Sequence, residues 1–129
     1  MKQGRVYFPG AILPPEQATH HRVVILSNSA IINRSRSGSF LTCAIIRSAK
    51  NQTGRAVQAV PGHSIPVKST DFISLRKEGQ VLKHDSIIET HQIFHISWDS
   101  LNDPMNRALG DLDPLKLQEV LTGARRLLT

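Results

Sequence analysis

His21 and Arg22 are the first neighbouring residues whose types could do chemistry together, and they stand directly before the apolar run of residues 23–26. Histidine titrates near neutral pH, so it can give or take a proton, and arginine can hold a phosphate through two hydrogen bonds. Metal-free cleavage of RNA needs a base for the ribose 2′-OH, an acid for the leaving 5′-oxygen and a cation beside the phosphate. The pair therefore suits phosphodiester chemistry, and it equally suits the solvated end of a loop.

Other polar residues of useful chemistry stand in loops and at the ends of apolar runs. Arg47 and Ser48 follow the run of residues 40–46, and His91 and Gln92 interrupt the segment 86–96. The full set of candidates is Glu16, Gln17, His20, His21, Arg22, Arg47, Ser48, Glu89, His91 and Gln92. Because these residues come from separate segments, the fold decides which of them share a site.

No motif for a metal or a nucleotide cofactor is present in the sequence. It contains no G-x-G-x-x-G, no P-loop and no G-x-S-x-G pattern. His91 and His95 would share one face of an extended strand, but no third ligand stands at a metal-binding spacing. The single cysteine, Cys43, lies inside an apolar run, which predicts an unreactive core residue. We therefore expect neither a metal nor a cofactor.

The positive charge of the chain is concentrated in its first half. The protein has 129 residues and a formal net charge of +6 at pH 7. Residues 1–62 carry eight basic residues and one acidic residue, a net of +7, whereas residues 63–129 carry eight basic and nine acidic residues, a net of −1. This asymmetry predicts a basic surface that attracts a polyanion, either nucleic acid or an acidic protein. A basic surface that serves solubility alone is the remaining alternative.

Short apolar runs between turn-forming residues predict the elements that position these groups. Strands are expected at residues 4–8, 23–26, 40–46, 56–60, 64–67, 71–75 and 86–96, loops at 9–21, 27–39 and 47–55, and a short helical piece at 104–109. Asp113 is a good N-cap and Pro114 suits a first helical position. The apolar stripe that follows is Leu117, Val120, Leu121, Ala124, Leu127 and Leu128. The pattern predicts a mostly β fold with a C-terminal α-helix, built as a strongly curved antiparallel sheet or open barrel.

Length and hydropathy predict one domain, spanning residues 1–129, that is not bound to a membrane. The longest apolar runs have four residues, against the roughly 20 that span a bilayer. The first five residues lead into a predicted strand instead of a signal sequence. A lone cysteine suits a reducing compartment, so the expected location is the cytoplasm.

Four short motifs follow one another along nearly the whole chain. Residues 4–7 fit the pattern G-x-[IV]-[YW], and Glu16-Gln17 precedes residues 21–28, which are similar to an "RPVVI" segment closed by asparagine. Residues 86–93 are similar to S-V-[IV]-x-x-x-Q-I, and residues 109–117 to [IL]-G-x-L-S-P-E-x-[LM]. In this order, the motifs resemble those of the PemK/MazF family of toxin–antitoxin ribonucleases.

The resemblance implies an SH3-like small barrel with a C-terminal helix, a homodimer, and metal-independent cleavage of single-stranded RNA to a 2′,3′-cyclic phosphate. It also implies a cognate antitoxin protein whose acidic tail covers the RNA-binding groove. On this basis the predicted catalytic residues are His21, Arg22 and Ser48. The predicted RNA-binding residues are Glu16, Gln17, Arg47, His91 and Gln92.

The chain departs from the family pattern at three positions. The family's Arg-Pro pair falls on His21 and Arg22, its Thr or Ser falls at Arg47 beside Ser48, and its Arg after Gln-Ile is replaced by Phe94. Arg22 and Ser48 match only after a slip of one residue, which in a strand changes the face. Two alternatives to the ribonuclease therefore stay open, namely a non-catalytic RNA- or protein-binding relative and a CcdB-like gyrase inhibitor of the same fold.

Overall fold

The computed structural model describes residues 1–8, 21–50, 54–55, 58–75, 81–102 and 108–128. The strands are β1 (Arg5–Tyr7), β2 (Arg22–Ile25), β3 (Phe40–Ser48), β4 (Ser64–Val67), β5 (Phe72–Ser74), β6 (Ser86–Ser97) and β7 (Ala108–Leu112). The helices are α1 (Ser29–Arg34), α2 (Trp98–Leu101) and α3 (Pro114–Arg125), with 3-10 turns at Ser69–Asp71 and Arg126–Leu128.

The strands form one antiparallel sheet in the order β4-β6-β3-β2-β1-β7-β5. The two outermost strands contribute Ile65 and Phe72 to the same core cluster. The sheet is therefore curled, because two edges that share a core must approach one another. The predicted class, mostly β with a C-terminal helix, is confirmed.

Side chains alternate between the two faces of the sheet and build a core on each. The inner core includes Val24, Ala44 and Ile88 and is covered by helix α3. The outer core includes Val23 and Cys43, with Ile32 from α1 and Leu101 from α2. Burial raises the pKa of the Cys43 thiol to about 12, so this cysteine is an unreactive core residue, as predicted.

Helix α3 follows the sequence prediction closely. The Asp113 carboxylate accepts hydrogen bonds from the backbone N–H groups of Leu115 and Lys116, and Pro114 opens the helix. Val120 is fully buried, and the residues that pack beside it are Leu117, Leu121 and Ala124. The predicted apolar stripe extended beyond the end of the helix, because Leu127 lies in the 3-10 turn that follows α3 and is exposed.

Several predicted elements were wrong. The predicted loop 27–39 contains α1, because the Asn28 side chain caps the segment and Ile32 anchors it in the outer core. Residues 108–109 belong to β7 instead of a helix, since β7 fills the gap between β1 and β5. Residues 58–60 carry no strand, and β3 continues through Arg47 and Ser48, which were predicted to be loop. The remaining predictions at 9–20, 56–57 and 104–107 lie outside the described residues.

Candidate functional site

Arg22 and Ser48 come together at one end of the sheet. Arg22 opens β2 and pairs with Ile46 of β3, so Ser48 lies two residues further along β3. Residues in this diagonal relation share a face and lie about 7–8 Å apart. The register of β2 and β3 therefore brings two of the three predicted catalytic residues to neighbouring positions on the inner face.

His21 directly precedes β2, whose pairing with β3 begins at Arg22 and Ile46. Arg47 itself lies opposite Ile87 of β6. The strand pairing therefore relates Arg22 and Ser48 of the predicted trio and does not include His21.

Phe8 is a contact of the site that the sequence interpretation missed. The Arg22 guanidinium carbon lies 5.1 Å from the centroid of the Phe8 ring, which is cation–π distance. Phe8 directly follows β1, which pairs with β2, and its side chain is 45% exposed. The period-two alternation of residues 4–8 places Phe8 on the face of Val6, and only the pairing of β1 with β2 sets it beside Arg22.

A cleft of about 480 Å³ opens next to Ser48. Its walls come from the neighbours of Ser48, from β4 and from the start of α3, and its lining residues are Ala49, Pro66, Val67, Lys68, Asp71, Asp85, Ser86 and Lys116. Ser86 pairs directly with Ser48 across β3 and β6. The Ser86 hydroxyl donates to the His84 carbonyl at 2.8 Å, and the cleft carries two carboxylates, Asp71 and Asp85, beside its two lysines.

Strand β6 carries a wide bulge where it passes β3. Ala44 pairs with Ile93 and Ile46 with Ile88, so four residues of β6, numbers 89–92, oppose the single residue Ile45. Bulges re-aim side chains and end regular pairing. The alternation expected for residues 86–96 breaks here, and the predicted RNA-binding residues His91 and Gln92 lie within the bulge.

A buried carboxylate occupies the same bulge. Glu89 is only 3% exposed and pairs across the strands with Ser64 of β4. Ser64 Oγ donates a hydrogen bond of 3.1 Å to Glu89 Oε2, and His91 Nδ1 lies 3.1 Å from the same oxygen. The second contact is electrostatic, since its angle is not that of an aligned hydrogen bond. The ring of His63 meets His91 edge to face at 6.2 Å between centroids.

Three buried polar atoms of this region have no hydrogen-bond partner in the described part of the chain. They are Nδ1 of His63, Nδ1 of His91 and Oε1 of Gln92. Buried polar groups are rarely left in this state, and a cluster of them often marks a functional site. Sequence reasoning missed His63 and Ser64, because only the pairing of β4 with β6 brings them to Glu89.

Two predicted site residues, Glu16 and Gln17, lie outside the described residues, as does His20. The two histidines proposed to share a strand face are separated, since His91 lies in the bulge and exposed His95 borders a different cleft. Among the residues that the structure describes, no three His, Cys, Asp or Glu side chains are grouped to hold a metal ion. Within the same residues, no helix is long and apolar enough to cross a membrane.

The fold has clear counterparts among solved structures. An endoribonuclease in complex with its cognate antitoxin, from a mycobacterial species, aligns with a TM-score of 0.62 and 15% identity, covering 99% of this chain and 94% of that one. A second mycobacterial endoribonuclease aligns with a TM-score of 0.62 and 16% identity, covering 99% and 90%. A MazE–MazF structure from Deinococcus radiodurans gives 0.60 and 11%, covering 98% and 92%. The fold is therefore of the class found in toxin endoribonucleases.

The sequence places the chain within one family of that class. The family model of the PemK-like, MazF-like toxins of type II toxin–antitoxin systems matches residues 3–128. The chain belongs to this family, as its collinear motifs predicted. No curated protein matches the chain significantly in sequence.

Proposed function

We propose that this chain is a toxin endoribonuclease that cleaves single-stranded RNA without a metal ion. The observation that carries the proposal is the juxtaposition of Arg22 and Ser48 at the end of the curled sheet. A guanidinium and a hydroxyl on one face can grip a backbone phosphate through charge-assisted hydrogen bonds. Phe8 restrains the guanidinium, and Arg47 adds positive potential from the adjacent position of β3.

The test of the activity uses the purified wild-type protein and a long single-stranded RNA in the presence of EDTA. We expect discrete fragments that end in 2′,3′-cyclic phosphate and 5′-hydroxyl groups. Arg22→Ala should cleave poorly, whereas Arg34→Ala, which removes an exposed arginine of α1, should cleave like the wild type. RNA that stays intact with well-folded wild-type protein would remove the enzyme and leave a non-catalytic binding relative.

The remaining predicted residues have roles in binding the RNA strand. Gln92 keeps the RNA-binding role that the family resemblance gave it. Glu16 and Gln17 keep the RNA-binding role that the family resemblance gave them. His21, predicted as an acid or base, directly precedes Arg22 and is proposed to contact the bound strand beside it.

The proposed protein partner is a cognate antitoxin with an acidic tail that covers the basic surface. Two of the structurally similar proteins are described in complex with antitoxins. Co-expression with the product of a short adjacent reading frame that encodes an acidic tail should relieve growth arrest and yield a stable complex. We also propose a homodimer, which light scattering at micromolar concentration tests directly.

A further inference from the structure

The rings of His63, directly before β4, and His91, in the neighbouring strand β6, meet edge to face. The residues are 28 positions apart in sequence, and the pairing of Ser64 with Glu89 brings them together. Their ring centroids are 6.2 Å apart with the planes at 70°. Both side chains are partly exposed and both Nδ1 atoms are buried, so Nε2 is the nitrogen that each ring can present to a ligand.

The backbone around the pair is rigidly held. The His63 carbonyl accepts hydrogen bonds of 2.8 Å from both the N–H and the Oγ1 of Thr90. Thr90 is fully buried beneath helix α3, where it faces Gly123. The separation of the two rings is therefore set by the sheet and the helix, and such support is what a precise proton-transfer site needs.

Glu89 gives the two histidines different electrostatic surroundings. The carboxylate is almost fully buried, and its charged neighbour within the described residues is His91, at 3.1 Å. A buried negative charge favours a positive charge beside it. Of the two histidines, His91 is the one that contacts the Glu89 carboxylate, so the two rings have different surroundings and can take different roles.

We propose that His63 and His91 are the general base and general acid of RNA cleavage and that Glu89 is a positioning residue for His91. The inference rests on the proposed function. His63 takes the proton of the ribose 2′-OH, and the 2′-oxygen forms a bond to the adjacent phosphorus while the bond from phosphorus to the 5′-oxygen breaks. The His91 imidazolium gives its proton to that leaving oxygen. The products are a 2′,3′-cyclic phosphate and a 5′-hydroxyl, and the two rings exchange one proton with solvent to reset.

The histidine pair and the Arg22–Ser48 site lie on opposite faces near one end of the sheet. Ser48 lies opposite Ser86, and Glu89 is three residues further along β6, which by strand alternation is the other face and about 10 Å along the strand. Arg22 and Ser48 therefore hold a phosphate other than the one that is cleaved. Arg47 pairs with Ile87 of β6. Ile87 and Glu89 are two residues apart in the strand, so they share a face, and Arg47 lies on that face between the two sites.

His91 takes one of the three unspecified positions of the pattern S-V-[IV]-x-x-x-Q-I, and His63 lies outside that pattern. Nearby, Phe94 stands where the family has arginine and packs on the outer core.

The decisive experiment is the pH dependence of cleavage of a short labelled single-stranded RNA. The wild type should give a bell-shaped profile of kcat. His63→Ala should lose the limb on the acid side, His91→Ala the limb on the alkaline side, and each should lower kcat by about 10²- to 10⁴-fold. His95→Ala, an exposed histidine of the same strand, is the matched control and should leave the profile unchanged.

Glu89→Gln tests the positioning role separately. Without the negative charge, the contact that holds the His91 ring is weakened, so kcat should fall while KM stays constant. The other charged groups near the pair are Arg126, whose guanidinium approaches Gly62, and Glu119, which lines a cleft beside Gly62. Arg126→Ala should not reproduce the effect of Glu89→Gln.

The possible outcomes separate this inference from the proposed function. A wild type that never cleaves RNA overturns both. A wild type that cleaves, with unchanged kcat and unchanged limbs in folded variants of His63 and His91, overturns the acid–base pair alone. If circular dichroism shows that an alanine variant is unfolded, the Gln variant at the same position, which preserves more of the side-chain volume, is measured instead. Its pH profile of kcat then tests the acid–base pair.

Discussion

Arg22 shows how a single residue depends on its neighbours for its function. Its guanidinium is restrained over Phe8, and its strand register sets it diagonal to Ser48. If it anchors a phosphate next to the one that is cleaved, its contacts are equal in the ground state and the transition state. Loss of such uniform binding raises KM and leaves kcat nearly unchanged.

We therefore predict that Arg22→Ala raises KM for single-stranded RNA by about tenfold or more, as expected for a charge-assisted hydrogen bond worth roughly 1.5–3 kcal/mol. Arg22→Lys keeps the charge but loses the planar fork, so it should recover only part of the affinity. Steady-state kinetics of the two variants and of Arg34→Ala measure this. A fall in kcat at constant KM would instead assign Arg22 to the cleaved phosphate.

Helix α3 is held against β6 by a close approach that depends on one glycine. A Cβ at Gly123 would lie 2.5 Å from Thr90 Oγ1 and 3.1 Å from the carbonyl oxygen of Gly62. Within an ordinary helix, replacing glycine by alanine stabilises by roughly 0.5–1 kcal/mol. Here the steric overlap acts on the backbone that carries the histidine pair, so the sign of the effect should reverse.

We predict that Gly123→Ala destabilises the protein by roughly 1–3 kcal/mol, the range for overpacking a well-filled contact. Urea unfolding monitored by circular dichroism measures the change. Thr122→Ala, at the neighbouring exposed helical position, provides the control and should alter stability by less than about 0.5 kcal/mol. Equal stability of Gly123→Ala and the wild type would mean that α3 moves freely on β6.

The pairing of β1 with β7 is reinforced by an ion pair that makes stability depend on pH. Arg5 Nε donates to Asp111 Oδ1 at 2.9 Å, and this hydrogen bond lowers the pKa of Asp111 below its usual value of 3.8. A carboxyl group with a lowered pKa contributes stability above its unfolded-state pKa, and that contribution is lost as the pH falls through its folded-state pKa.

We predict that Asp111→Asn lowers the free energy of unfolding at pH 7 by roughly 0.5–1 kcal/mol, a value reduced by solvent screening of this partly exposed pair. The difference from the wild type should be smaller at acidic pH, as the pH falls through the folded-state pKa of Asp111. Urea titrations at the two pH values measure it. Glu119→Gln, which removes an exposed carboxylate of α3, should show little difference at either pH.

The elements differ in how far the sequence could predict them. Helix α3 was readable because its cap, its first-turn proline and its apolar stripe are all local signals. The bulge of β6 could not be predicted from sequence. Four residues of β6 oppose one residue of β3, and this mismatch is defined only by the pairing of the two strands. For the same reason the motif residues His91 and Gln92 could be named from sequence, whereas their neighbours His63 and Ser64 could not.

The charge of the whole molecule is divided along the chain, and the fold decides where it is used. The first half, with its net charge of +7, supplies β1, β2 and β3, so Arg22 and Arg47 meet at one end of the sheet. The nearly neutral second half supplies β6, with the histidine pair, and the covering helix. Attraction of a polyanion should accordingly depend on where a cation lies, and much less on the total charge.

We predict that replacing both Arg22 and Arg47 by alanine weakens RNA binding and flattens its salt dependence. Each lost phosphate contact on a single strand should reduce the slope of log K against log salt by about 0.7, so the double variant should lose about 1.4. An RNA with 2′-O-methyl groups is the probe, because it lacks the nucleophile and stays intact. The control replaces exposed Lys83 and Arg125 by alanine, which lowers the net charge equally. A control that flattens the slope as much as the test variant would show that total charge, and not the basic end of the sheet, attracts the RNA.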